Sequence, residues 1–345
     1  MTVAIVLALY SAFAAVVLPR FLRLAKWSDR APRLAIALWQ AASMSAIVSA
    51  LLSAFAVAVP ASVVGYGLAW LFEACAAMLG HGAATLSATT TRVGLAIGGL
   101  LVARLAYTGG AVLLGARRER RRHGEALSLL GRRDRDLDAV VVDYEERLAY
   151  CLPGHNGHAV ITTGALRSLA PEQVAAVLAH EQAHLRGRHH LVLAGTETLA
   201  RAFPRIPLFG QARAEIARLV ELLADDVAAR RHSRIHIAAA LVRLTTGRVP
   251  AFALGAGGET ALTRVRRMLH PQAPLDRRER LAGVLAVTAL LAGPATLAAA
   301  PGVGAFLAHH CHSFLPLALA GAITALRTRT TANAAAADET AASRH

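Results

Sequence analysis

The sequence predicts a mainly α membrane protein, with four or five transmembrane helices and a cytoplasmic α+β domain that contains a small sheet. Three observations carry this. The chain is 55% hydrophobic, yet its formal net charge is +15 and its arginines are clustered. The apolar residues form runs of about twenty, the length that crosses a bilayer, and the basic clusters sit at the ends of these runs, as cytoplasmic loops do. Between Ala116 and Arg280 the apolar runs shorten to soluble periodicities and charge rises. A basic balance can also mark nucleic-acid binding. No winged-helix or other DNA-reading pattern is present, so no direct nucleic-acid contact is expected. Cys75, Cys151 and Cys311 lie too far apart for a disulfide framework or a cysteine-type zinc site. Cys151 is expected to be a reduced thiol.

The first element is Thr2 to Leu18. It has no basic start and ends in Pro19-Arg20, so it reads as a retained span and not a cleaved leader. Arg20, Arg23, Lys26, Arg30 and Arg33 follow, against Asp29 alone, which places that loop inside and the N-terminus outside. Leu34 to Val59 is the second span. Val93 to Leu114 is the third, ending at the inside marker Arg117-Arg118-Glu119-Arg120-Arg121-Arg122. Leu281 to Ala300 is the fourth, and Phe314 to Leu326 is short for a fifth. Ala61 to Gly80 is apolar but carries Glu73; a crossing there would put the arginine block outside, so it reads as an outer-face or re-entrant segment. Glu73 and the mid-span Arg104 read as a buried pair, either sensing a signal or holding helices together. The resulting division is a membrane region over 1–115, a cytoplasmic domain over 116–280, a second membrane region over 281–326 and a disordered tail over 327–345.

In the central segment, Ala139 to Val142, Arg147 to Leu152 and His158 to Thr162 read as strands, with a turn at Pro153-Gly154-His155-Asn156-Gly157. Pro171 to about His189 reads as a helix: Pro171 suits its first turn, and Val174, Val177, Leu178 and Leu185 recur at helical spacing. That helix contains His180-Glu181-Gln182-Ala183-His184, an H-E-x-x-H motif. Residues four apart share a helical face, so His180 and His184 can hold one zinc ion while Glu181 points at a water on it.

A third ligand is sought downstream. Glu221 and Asp225 are four apart on a second helix; Glu221 can ligate the metal, and Asp225 can accept the free ring N–H of a ligating histidine. The alternative is a solvated acidic patch paired with Arg218 and Arg230. His232, His236 and Arg218 are candidate donors to an oxyanion. His309-His310-Cys311-His312 is either a metal sensor or a polar boundary. His155 and His158 read as loop residues, and His123 as part of a solvated basic surface.

Taken in order, Leu169-Ala170-Pro171-Glu172, Val177 through Arg186 and Glu221-Leu222-Leu223-Ala224-Asp225-Asp226 resemble the M56 metallopeptidases, the BlaR/MecR-type antibiotic-sensor proteases, which are related to the M48 group of HtpX and CAAX proteases. Ala149 to Gly154, Val160 to Leu166 and Arg264 to Leu269 extend the likeness over roughly 138–269. The resemblance implies a gluzincin-like zinc peptidase domain, with His180, His184 and Glu221 as zinc ligands, Glu181 as general base and Asp225 behind a ligand. It also implies a protein substrate, either a cytoplasmic repressor or a membrane protein, a multi-pass location in the cell membrane and an active site facing the cytoplasm. The chain departs at His189, where the family often has Asp. About forty-five residues follow the fourth span, too few for a penicillin-binding domain, so direct β-lactam acylation is not expected. Three other readings stand beside a signalling protease: an HtpX-like quality-control protease, a non-catalytic membrane sensor or scaffold with a zinc domain, and a site-2-type intramembrane protease. The last requires a motif helix apolar enough to span, whereas Glu172, Gln173, Arg186, Arg188, His189 and His190 flank this motif.

Overall fold

The computed structural model describes residues 2–58, 88–154, 157–245 and 257–300. Ala61 to Gly80 with Glu73, the 309–312 cluster, Phe314 to Leu326, the tail from 327, His155, Cys75 and Cys311 all lie outside the described residues.

Among the described residues, four helical segments are long and apolar enough to cross a membrane: Thr2–Arg23, Pro32–Ala58, Thr89–Leu130 and Arg277–Ala300. The first comprises α1 (Thr2–Val16) and α2 (Leu18–Arg23), and a short 3-10 turn at Lys26–Asp29 leads into α3 (Pro32–Ala58). Hydroxyl groups stitch α1 to α3: Tyr10 Oη meets Ser45 Oγ at 2.9 Å, Ser11 Oγ donates to the Ala46 carbonyl at 2.9 Å, and Ser53 Oγ donates to the Ala4 carbonyl at 2.8 Å. In a bilayer, which offers no hydrophobic drive between helices, small residues and such cross-helix bonds would hold them together.

The third apolar segment belongs to α4 (Ala88–Leu130), 43 residues long. The helix does not stop at Leu114; it runs on through the arginine block, whose residues are good helix formers, to about 65 Å in all by the rise per residue. It ends at Gly131, where a Cβ would lie 2.5 Å from Val140 Cγ1 and 2.7 Å from the Leu127 carbonyl oxygen.

The sheet has the order β1-β2-β4-β3, from β1 (Gly131–Asp134), β2 (Ala139–Val142), β3 (Ala149–Leu152) and β4 (His158–Thr162). β2 and β4 pair in parallel at the centre, and β1 and β3 are antiparallel edges. β1 carries Arg132 and Arg133 with no apolar alternation, so pattern alone does not reveal it. β3 begins at Ala149, two residues later than expected, and His158 opens β4. Thr162 then caps the short α5 (Thr163–Ser168), its Oγ1 accepting from the Ala165 N–H at 3.2 Å.

The motif helix is α6 (Pro171–Arg186). It stops three residues before the expected His189 because Arg188 takes a left-handed φ of 48° and the chain restarts as α7 (His189–Ala202). Then come α8 (Pro207–Ala228), α9 (Arg234–Thr245), α10 (Gly257–Leu269) and α11 (Arg277–Ala300). One face of α6 packs on the sheet through Val174, Val177 and Leu178 against Ala139, Val141, Ala159 and Ile161.

The helix that carries Glu221 has its other half among the apolar segments. Leu208, Phe209, Ala212, Ile216, Leu219, Val220 and Leu222 of α8 form one core with Ala14 of α1 and Ala35, Ile36, Trp39, Ala42 and Ala46 of α3. Helix α7 lies along α4, where Gly109 faces Thr198 and Arg104 donates from Nε to the Ala202 carbonyl. That carbonyl is at the negative end of α7, which suits a guanidinium. Arg104 lies about 20 Å along α4 from Arg117 by the rise per residue, so the α7–α8 hairpin runs well up the apolar bundle.

Candidate metal centre

The two motif histidines meet because α6 repeats its face every four residues. His180 Nε2 and His184 Nε2 are 3.1 Å apart. Glu221 arrives from α8, with Oε2 3.5 Å from His180 Nε2 and Oε1 3.5 Å from His184 Nε2. One ligand atom from each of the three residues falls within 4.8 Å of the other two. Two imidazoles and one carboxylate on three convergent atoms form the donor set that zinc takes. The Glu221 side chain is 38% exposed, so this side of the cluster stays open to a fourth group. These residues therefore fit a zinc ion.

Behind the ligands sits a buried charge network. Asp225 is 0% exposed, and its Oδ1 lies 2.9 Å from His180 Nδ1. That contact is an ion pair when the His180 ring is protonated. Arg264 of α10 clamps the same carboxylate, donating from Nε to Oδ2 and from Nη2 to Oδ1, each at 2.8 Å. Its Nη1 also lies 2.9 Å from Glu221 Oε2. A buried carboxylate without such partners would protonate.

The network sets the protonation of the cluster. Burial pulls the His180 pKa down, but Asp225 and Glu221 outweigh it and push it up to about 10. Burial also lowers His184, to about 4, so this ring is neutral and free to ligate. For Glu221, burial alone would raise the pKa; His180, Arg264 and His184 instead hold it at about 2. Asp225 is likewise held well below the usual carboxylate range by Arg264 and His180 against its burial. Glu181, next to the first ligand, moves the other way: burial raises its carboxyl, with Glu221 adding to the rise and His180 opposing it. A glutamate poised upward suits proton transfer near neutral pH. The Cys151 thiol of β3 lies beside Glu181; burial and then that carboxylate push it up to about 12, so it is a protonated thiol.

Of the candidate residues, the fold brings together His180, Glu181, His184, Glu221 and Asp225. The acidic stretch is not a solvated patch: Asp225 is buried, and Asp226 is bound by both Arg267 amines at 2.8 Å. Arg218 is committed elsewhere, to Asp29 at 2.7 Å and Glu215 at 2.9 Å, and neither His232 nor His236 joins the cluster. Arg264 is the cation that does reach it. Its helix was legible as the one following the site, but nothing in its spacing ties it to Asp225.

Residues 116–213 match the model of Peptidase family M48, a zinc-dependent metallopeptidase family. The match covers less than a third of the chain, includes the H-E-x-x-H motif and stops before Glu221 and Asp225. No solved structure matches the chain. The match supports an M48-type metallopeptidase domain in this segment and does not extend to an M56-specific assignment.

Proposed function

We propose that this protein is a membrane-embedded zinc endopeptidase that cleaves a protein substrate at the cytoplasmic membrane face. The observation that carries the reading is the convergence of His180, His184 and Glu221 on one point, with Glu181 beside it and Asp225 behind it. When bound, zinc supplies a Lewis acid that polarises the scissile carbonyl and lowers the pKa of a water toward about 7. Glu181 takes the proton of the attacking water and delivers it to the leaving amine. Asp225 orients His180, and Arg264 keeps Asp225 ionised. β3 is a sheet edge packed beside α6, with Cys151 against Glu181, so an extended substrate pairing with that edge would lie across the site.

Several contacts support action at a membrane surface. Arg33, in the first turn of α3, lies close enough to His189 to act on its charge. Arg30, just before α3, grips Glu279 at the start of α11 through two bonds of 3.0 and 2.9 Å. The start of one apolar helix thus borders the metal centre and is tied to the start of another, and the basic clusters at such ends support a cytoplasmic location for that border. The substrate is a membrane-proximal protein. The resemblance to HtpX-type proteases favours quality-control cleavage of membrane proteins, while the M56 resemblance favours cleavage of a transcriptional repressor.

Glu181→Gln in the full-length protein tests the reading. It is expected to keep one zinc per chain and to lose proteolysis. Comparison of cleaved peptides from cells carrying wild-type and Glu181→Gln protein then identifies the substrate class. Full activity of Glu181→Gln would rule out the general-base role, and a wild-type protein with no stoichiometric metal would rule out the metallopeptidase.

A further inference from the structure

His189 is a buried polar residue that the reading above leaves unused. Its ring stands edge-on to His184, with centroids 4.9 Å apart and planes at 86°, and the two Nδ1 atoms are 3.1 Å apart. The residue is 6% exposed. We propose that His189 is a positioning residue for the metal centre: its Nδ1 accepts the Nδ1–H of His184 and so fixes which nitrogen of His184 is offered to zinc.

The argument is one of valence. His184 turns Nε2 toward His180 and Glu221, so Nε2 is the ligand atom and must carry a lone pair. A neutral imidazole has one ring proton, and it must then sit on Nδ1. The group facing that proton at hydrogen-bond distance is His189 Nδ1, which must in turn hold a lone pair, with its own proton on Nε2. The two ligating rings are thus supported unequally, His180 by an anionic carboxylate and His184 by a neutral imidazole.

Two features of the backbone place the ring there. At Gly187 a Cβ would lie 2.4 Å from His189 Nε2 and 2.7 Å from its Cδ2, so only glycine leaves room for the imidazole. Arg188 adopts φ 48°, a left-handed conformation that non-glycine residues rarely take. This turn ends α6 and folds the first residue of α7 back onto the preceding turn.

This inference rests on the zinc reading of the cluster, and the test separates the two. Zinc affinity is measured on full-length protein in micelles by competition with a chromophoric chelator. His189→Asn keeps an acceptor oxygen near the position of Nδ1, whereas His189→Leu keeps bulk without an acceptor. Loss of a partner behind a ligating histidine lowers metal affinity about 10–100-fold. His189→Leu is expected to fall in that range and His189→Asn to stay within about threefold of wild type, by the same scale. Equal affinity for His189→Leu and wild type overturns the inference alone, and so does a His189→Asn as weak as His189→Leu. A wild-type protein that holds no zinc overturns the metal centre and this inference with it. Side-chain 15N spectra of the zinc-loaded wild type provide a measurement that needs no variant to fold: a protonated Nδ1 on His184 is expected, and a protonated Nε2 overturns the assignment.

Discussion

Zinc binding should expel a proton, and the size of the effect follows from Asp225. With the pKa of His180 at about 10, the apoprotein at neutral pH carries His180 as an imidazolium. The metal needs the neutral ring, so it must displace that proton. At pH 7, about three units below the pKa, the competition costs about a thousandfold in apparent affinity, or about 4 kcal/mol. Affinity should therefore rise about tenfold per pH unit between pH 7 and about 9 and level off near pH 10. Calorimetric titration of zinc into apoprotein, in buffers of different ionisation enthalpy, counts the protons directly. About one per zinc is expected from His180 at pH 7–8. In Asp225→Asn, which keeps the shape but removes the larger of the two charges that raise His180, the number of protons released should fall. The stability of the apoprotein has the opposite sign. The raised pKa contributes stability that is fully present below the unfolded value of about 6.5 and is lost as pH rises through about 10. A pH-independent affinity with no proton release in wild-type protein, or release unchanged in Asp225→Asn, would refute the charge reasoning.

The remaining predictions concern the scaffold. Arg264→Leu strips the Asp225 carboxylate, which is 0% exposed, of its two 2.8 Å donors. Orphaning one partner of a buried pair costs about 3–5 kcal/mol, so a clear fall in Tm is expected, and a parental Tm would show that the guanidinium does not neutralise the carboxylate. Gly164→Ala would drive a Cβ to 2.0 Å from the Glu145 carbonyl oxygen, a backbone atom that cannot swing aside. A loss of about 1–3 kcal/mol is expected, visible as lower thermal stability; an unchanged melt would mean that the loop between β2 and β3 relaxes freely.

The legible part of this protein was local. The spacing of His180 and His184 puts two imidazoles on one helical face in any tertiary setting, and Glu221 with Asp225 repeats the same four-residue logic. Runs such as Thr2 to Val16 and Pro32 to Ala58 announce their helices by length and hydropathy. Val140 and Ile161 sit in strands because β-branched residues favour them. The proline start at Pro171 is equally readable.

What tertiary structure alone decided is which distant groups meet. Arg264 follows Asp225 by thirty-nine positions, and no period relates them; α10 brings the guanidinium onto the carboxylate. The apolar residues of α8 read as an ordinary amphipathic face, but their partners are Trp39 and Ala42 of an apolar helix, so one core joins segments that composition divides. β1 is polar and forms because β2 offers it an edge. His189 looked like a lost carboxylate until the left-handed turn at Arg188 and the bare backbone of Gly187 set its ring against His184. Periodicity is a property of one segment and survives in a string of letters. A buried charge pair or a shared core is a property of two surfaces, and it exists only after the chain has brought them together.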